Sequence, residues 1–197
     1  MTQHPRTDGR RPPNAGPKAS ARNRAALIAA AREVFAEQGI NAALSSIARR
    51  AGVGQGVLYR HFPDRAAVAA AVLEENVREV EQAAAAEGAS FAMVLGVLSW
   101  HMTESAAFIS VLHGANEAAG GSVGPAYARE LSDRVEYALR TRIPDDHRLA
   151  EDANLMLAVG MVSGAVIGPT REDRERRVLD AWRLLAVEVG PVRPFDG

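Results

Sequence analysis

The sequence predicts an all-α chain: a three-helix helix-turn-helix unit in front and a larger helical domain behind. Three observations carry that expectation. Apolar residues recur at three- and four-residue intervals from about residue 20 to residue 188, with no alternating run of strand type. The 197-residue chain is 47% hydrophobic but only 5% aromatic, so its core must be Ala, Val and Leu, a mixture that favours helices. Turn formers such as Gly39, Gly52, Pro63, Gly88, Pro144 and Gly168-Pro169 fall between the periodic segments.

Residues 1–19 hold four prolines and four basic residues with almost nothing apolar, and are expected to form a disordered basic tail. Ser20 is the expected cap of a first helix that Gly39 closes, with Leu27, Ala31, Val34 and Phe35 on one stripe. A short second helix covers LSSIARRA and stops at Gly52. GVLYRHF forms a third, with Leu58 and Phe62 facing inward. Pro63-Asp64 breaks it, and Asp64 is placed to cap the next helix. Further helices are expected at about 90–104, 107–119, 125–142, 146–167 and 171–188, with Thr170 and Asp173 as a cap pair. The closing GPVRPFDG is expected to be loosely held. Domain limits follow: tail 1–19, helix-turn-helix 20–66, helical domain 67–197.

Composition narrows the function. There are no cysteines, which excludes disulfides and thiolate chemistry. No stretch reaches the ~18 apolar residues of a membrane span, and the N-terminus has no signal-peptide pattern, so a cytoplasmic protein without membrane association is expected. The formal net charge of −1 hides an asymmetry: residues 1–65 carry 11 Lys+Arg against 4 Asp+Glu, residues 66–197 carry 12 against 20. A basic front suits a polyanion there and not behind. No His-x-x-x-His pair occurs, and neither an enzyme nor a metal or other cofactor is expected.

The segment AGVGQGVLYRHF, residues 51–62, carries most of the functional signal. Its alternate glycines suggest a phosphate loop, but a helical pattern precedes them where a strand is needed, and no Gly-Lys-Ser/Thr follows. Helix, glycine turn and helix is instead the helix-turn-helix pattern, with Gly52 supplying a positive φ and Val53 plugging the corner. Such a corner lays the third helix across a surface wide enough for a major groove. Gln55 then suits an adenine edge or a phosphate, Val57 a thymine methyl, and Gly56 a close backbone approach. Arg60 suits the guanine fork and a phosphate equally. Arg49 and Arg50 flank the second helix near the expected phosphates.

From about residue 22 to residue 75 the chain resembles the DNA-binding region of tetracycline-repressor (TetR-type) transcriptional regulators. The likeness rests on element order, the Ile47-Ala48 pair, Ala51-Gly52-Val53 and Leu58-Tyr59-Arg60-His61-Phe62. It implies an N-terminal DNA-binding domain followed by a C-terminal ligand-binding and dimerisation domain. It further implies phosphate contacts from Tyr59, His61 and Arg65, and a homodimer on a palindromic double-stranded operator, more often a repressor than an activator. One departure stands out: the family's Thr or Ser ahead of the second helix is replaced by Ala42-Ala43, leaving Asn41 or Ser45 as substitute caps. A lost cap costs about 1 kcal/mol.

In the rear domain, Phe91, Met93, Trp100, His101, Glu104, Phe108, His113, Asn116 and Tyr127 mix apolar walls with scattered polar groups, as pockets for a small-molecule effector do. Core packing explains each of them separately as well. The resemblance makes the last two helices the dimer contact, with Gly160, Gly164 and Gly168 at four-residue spacing and Val178, Trp182 and Leu185 beside them. Close packing within one subunit is the alternative use of that glycine strip.

Overall fold

The computed structural model describes residues 16–105, 108–109, 124–151 and 154–195. These form eight helices and no strand: α1 (Pro17–Gln38), α2 (Leu44–Arg50), α3 (Gln55–His61), α4 (Arg65–Ala85), α5 (Phe91–Glu104), α6 (Pro125–Arg140), α7 (Asn154–Ala165) and α8 (Arg171–Leu184). The all-α expectation holds.

Helix limits follow local chemistry. α1 begins at Pro17 with Gly16 as its cap, four residues ahead of the expected cap, Ser20. Proline is well suited to a first turn, where its missing N–H has no intrahelical partner to lose. Asp64 caps α4 by accepting from Ala67 N at 2.8 Å, and Ser90 caps α5 by accepting from Met93 N at 3.2 Å. Thr170 Oγ1 accepts from Asp173 N at 3.1 Å and donates to Asp173 Oδ2, giving the expected cap pair on α8.

Two expected helices are shorter than their pattern. The segment 146–167 is helical only from Asn154, because Pro144 and a turn in which Leu149 N donates to His147 Nδ1 hold residues 141–151 in turns. Such local side-chain bonds compete with the helix ladder. The last helix stops at Leu184 rather than 188, and Ala186 takes a φ of 53° just beyond it. The expected 107–119 helix lies outside the described residues except for Phe108 and Ile109.

Two apolar cores result. Leu27, Ala31 and Val34 of α1, Ile47 of α2, Leu58 of α3 and Phe62 form the front one. Leu95 and Leu98 of α5, Leu131 and Val135 of α6, Leu155 and Val159 of α7, and Val178 and Trp182 of α8 belong to the rear one. α4 enters both, with Val68, Ala71 and Val72 in front and Leu73, Val77 and Val80 behind. The front core therefore continues past residue 66 to Val72.

The closing segment is held, contrary to expectation. Val187 is buried, Val189 and Phe195 pack on the rear core, and Gly190 N donates to Ala92 O at 2.8 Å. The strap crosses α5 so closely that a Cβ on Gly96 would lie 2.5 Å from Pro191 O, a backbone atom. Gly96→Ala should therefore lift the strap, costing about 1–3 kcal/mol. The expected signs are a melting temperature lowered by several degrees and faster proteolysis within 187–195; an unchanged value would mean the strap does not contribute to stability.

Candidate nucleic-acid interface and effector site

The front corner is built by two glycines in the left-handed region. Gly39 has φ +80° and Gly52 has φ +67°, the second being the positive φ that the sequence required. Val53 N donates to Ala48 O at 3.0 Å and its side chain packs on the front core, plugging the angle between α2 and α3.

That corner splits α3 into two faces. Leu58 and the following Phe62 are buried, while Gln55, Gly56, Tyr59 and Arg60 are exposed and Val57 and His61 are half-buried. Tyr59, a large aromatic, is 53% exposed. A Cβ on Gly56 would meet nothing within 4 Å, so packing inside the chain does not demand glycine there. Arg60 makes only a long 3.4 Å contact to Gly56 O, one turn back. Neither α2 nor α3 has a side-chain cap, so Asn41 and Ser45 do not replace the absent Thr or Ser.

The basic residues divide into struts and open cations. Arg50, expected near the phosphates, is exposed but already paired: it forks onto Glu37 at 2.9 and 2.7 Å and reaches Glu33 at 2.8 Å, tying α2 to α1. Those bonds raise its pKa, the Glu37 pair first, and lower that of Glu37. Arg65 donates to Ile40 O at 3.0 Å and, closer still, to Ala42 O, bracing the α1–α2 turn against the start of α4. Arg49 and Arg60 are exposed. Arg24 lies 5.5 Å above the Phe62 ring, a cation–π contact between α1 and the end of α3.

The expected effector residues scatter. Phe91, His101 and Phe108 are buried, and Trp100 is half-buried. Phe91 sets its ring edge against His147 at 5.1 Å, away from the others. Met93 is 48% exposed and lines no interior, because it sits on the outer side of the first turn of α5. Glu104 pairs with Arg171 at 2.6 Å, joining α5 to α8. Tyr127 donates to Glu74 at 2.8 Å, and burial followed by that carboxylate pushes its phenol up to about 12. His113 and Asn116 lie outside the described residues.

What the residue list missed is a polar cluster where α1, α4 and α5 meet. Arg32 of α1 donates to Glu79 of α4 at 2.9 Å and lies 5.6 Å over the Trp100 ring. Glu79 Oε2 stands 3.2 Å from His101 Nε2, not aligned as a hydrogen bond. His101 is completely buried between Trp100, at 4.8 Å, and Phe108, at 5.4 Å. Asn76, also completely buried, has no hydrogen-bond partner for either amide atom among the described residues. Burial holds the His101 pKa below its ordinary value. Burial pushes Glu79 up, but His101 and Arg32 outweigh it and leave the carboxyl below its usual range. A signal was present in the sequence: Asn76 and Glu79 fall among Leu73, Val77 and Val80, on the apolar stripe of α4.

The expected dimer strip also divides. Val178 and Trp182 are completely buried within the subunit, Trp182 Nε1 donating to Ser99 Oγ at 3.0 Å, so they offer a partner no surface. Leu185 packs on the same core, and a Cβ on Gly168 would meet Asp173 Cβ at 2.7 Å, an internal reason for that glycine. Gly160 and Gly164 face open space beside Leu157 and Met161, which are 61% and 57% exposed.

Among the described residues no group of three or more His, Asp or Glu could hold a metal ion, and no helix is long and apolar enough to cross a membrane. Comparison with known proteins bears on the front half most directly. Residues 27–72 match the family profile described as bacterial regulatory proteins, tetR family. The fold resembles that of a TetR transcriptional regulator from Streptomyces coelicolor, 26% identical, over 84% of this chain and 98% of that one, with a TM-score of 0.57. It also overlaps a TetR transcription regulatory protein from Mycobacterium vanbaalenii, 27% identical over 87% of this chain and 95% of that one, TM-score 0.49. A gamma-butyrolactone receptor is 22% identical over 85% of this chain and 87% of that one, TM-score 0.47. No curated protein matches the chain significantly.

The buried cluster predicts a pH dependence. A histidine whose folded pKa is depressed contributes stability fully present above its ordinary 6.5 and lost as pH falls through the lower folded value. Depressed Glu79 adds stability that is present above 4.5 and lost further down. The melting temperature should therefore fall as pH drops from about 7 to about 5, and fall less in His101→Gln. A flat profile in the parent would show that His101 protonates as readily folded as unfolded.

Proposed function

We propose that this chain is a TetR-type DNA-binding transcriptional regulator, a homodimeric repressor whose hold on a palindromic operator is released by a small-molecule effector. The observation that carries the reading is the division of α3: Leu58 and Phe62 anchor it inward while Gln55, Tyr59 and Arg60 stand exposed on the other side. Gln55, Val57 and Arg60 then meet base edges, with Gly56 allowing close approach. Arg49, Tyr59 and His61 meet phosphates. Arg65 works mainly from within, holding the α1–α2 turn so that α2 keeps its place. The protein acts by binding, not catalysis.

Dimerisation gives two copies of α3, which must lie about 34–36 Å apart to enter successive major grooves. The apolar face of α7, with Leu157, Met161 and Gly164 one turn apart, supports the dimer contact, and Leu184 of α8, 88% exposed, extends it. An effector bound in the rear domain favours a dimer whose reading helices are wrongly spaced, and release follows from that differential affinity. The domains assigned are a front unit from Pro17 to Val72 and the rear helical domain beyond, with α4 shared; the tail expected at 1–19 lies outside the described residues up to residue 15.

Retardation of a fragment from the gene's own upstream region, with excess non-specific competitor, tests the DNA reading. Arg60→Ala should change which operator bases matter, whereas Arg49→Ala should weaken all sequences alike and reduce the salt slope by about one. Parent-like binding by both variants across salt would refute these residue roles. Met161→Asp should give monomers in sedimentation and lose cooperative operator binding; a dimer that persists would exclude the α7 face.

A further inference from the structure

The seam between the two cores holds polar atoms that the protein itself does not satisfy. Asn76 follows Val72 of the front core by one turn and precedes Val80 of the rear core by one turn. Among the described residues its amide nitrogen and oxygen are both buried and both without a hydrogen-bond partner, and so are Nδ1 and Nε2 of His101. Buried amides without partners are rare and costly in native proteins, and such a group needs a reason. Asn76 and Glu79 are three residues apart and share a face of α4, and Glu79 reaches His101. The rings of Trp100 and Phe108 flank that histidine.

We propose that Asn76 and His101 are the polar anchor of the effector site, and that they take an uncharged ligand whose hydroxyl or amide both donates and accepts a hydrogen bond. This rests on the effector reading above. The chemistry selects the class. A carboxylate oxygen of Glu79 3.2 Å from Nε2 favours the tautomer with its proton there, which leaves Nδ1 as an acceptor. Asn76 offers one donor and one acceptor. A matching ligand group therefore supplies both. Arg32 and Glu79 already neutralise each other at the seam, so a carboxylate or ammonium would be buried as an uncompensated charge. The aromatic flanks suit an apolar body. Occupancy is felt in front because Glu79, beside the anchor, also holds Arg32 of α1.

Thermal melting with hexanamide as a neutral probe and hexanoate as its anionic counterpart tests the proposal, using the parent and Asn76→Leu. Leucine removes an unsatisfied amide while keeping the same branched heavy-atom skeleton, so Asn76→Leu without ligand should melt about 2–4 °C higher than the parent. Hexanamide at saturating concentration should raise the parent by about 2–4 °C and leave Asn76→Leu unmoved, with hexanoate moving neither. A lower melting point for Asn76→Leu would show that the amide has structural partners and overturn the anchor. So would a hexanoate shift equal to that of hexanamide, equal hexanamide shifts in both proteins, or no shift in either. Retardation of the upstream fragment, run on both proteins, separates the two readings: a parent that fails to bind DNA sinks the regulator, whereas the melting outcomes bear on the anchor alone.

Discussion

Helix α4 is the shared structural member of both halves of the protein. It gives Val68, Ala71 and Val72 to one core and Leu73, Val77 and Val80 to the other without a break in the helix. Packed interiors deform poorly, so a tilt of α4 driven from behind must be matched by movement in front. α1 is obliged to follow, because Arg32 is held by Glu79. α2 follows α1 through the Arg50 fork, and Arg65 ties the intervening turn to the first residue of α4. The three front helices are thus fastened to α4 at its first residue and again in its second half, and the orientation of α3 depends on where α4 lies.

The outer side of α4 is fastened as well. Arg134 of α6 forks onto Glu81 at 2.8 Å twice and reaches Glu74 at 2.7 Å, and Tyr127 reaches the same Glu74. Burial raises the Glu74 pKa, yet the Arg134 and Tyr127 hydrogen bonds outweigh it and keep the carboxyl below its usual range. α6 and α4 are therefore locked by a charged clamp on one side while the opposite side carries the unsatisfied amide of Asn76. The contrast matters energetically: the clamp is partly solvated and replaceable, whereas the buried seam responds to any group that enters it.

Much of this was legible from residues alone, for identifiable reasons. Gly52 had to take a positive φ because a helix ends there and another begins three residues later, and it does. Asp64 and Thr170 were readable as caps because short polar side chains before apolar periods have little else to do. What the pattern could not supply was direction around each helix axis. Val178 and Trp182 share a face with residues suited to a partner, yet they turn inward because Ser99 of α5 offers Trp182 a hydrogen bond. Arg50 looked like a free cation because Glu33 and Glu37 lie more than a dozen residues away in sequence. The polar pair on the buried stripe of α4 was visible, but its partners Arg32 and His101 come from elements whose approach only the fold determines.

The strap that crosses Gly96 has a bearing on how the protein is made. The front core needs nothing after Val72, so it can close while the ribosome is still translating the rear domain. The rear core cannot, since Val187, Val189 and Phe195 supply part of its cover. Until those residues emerge, α5 carries apolar surface open to water beside a front unit already packed. The chain thus passes through an interval in which one core is closed and the other still lacks its cover.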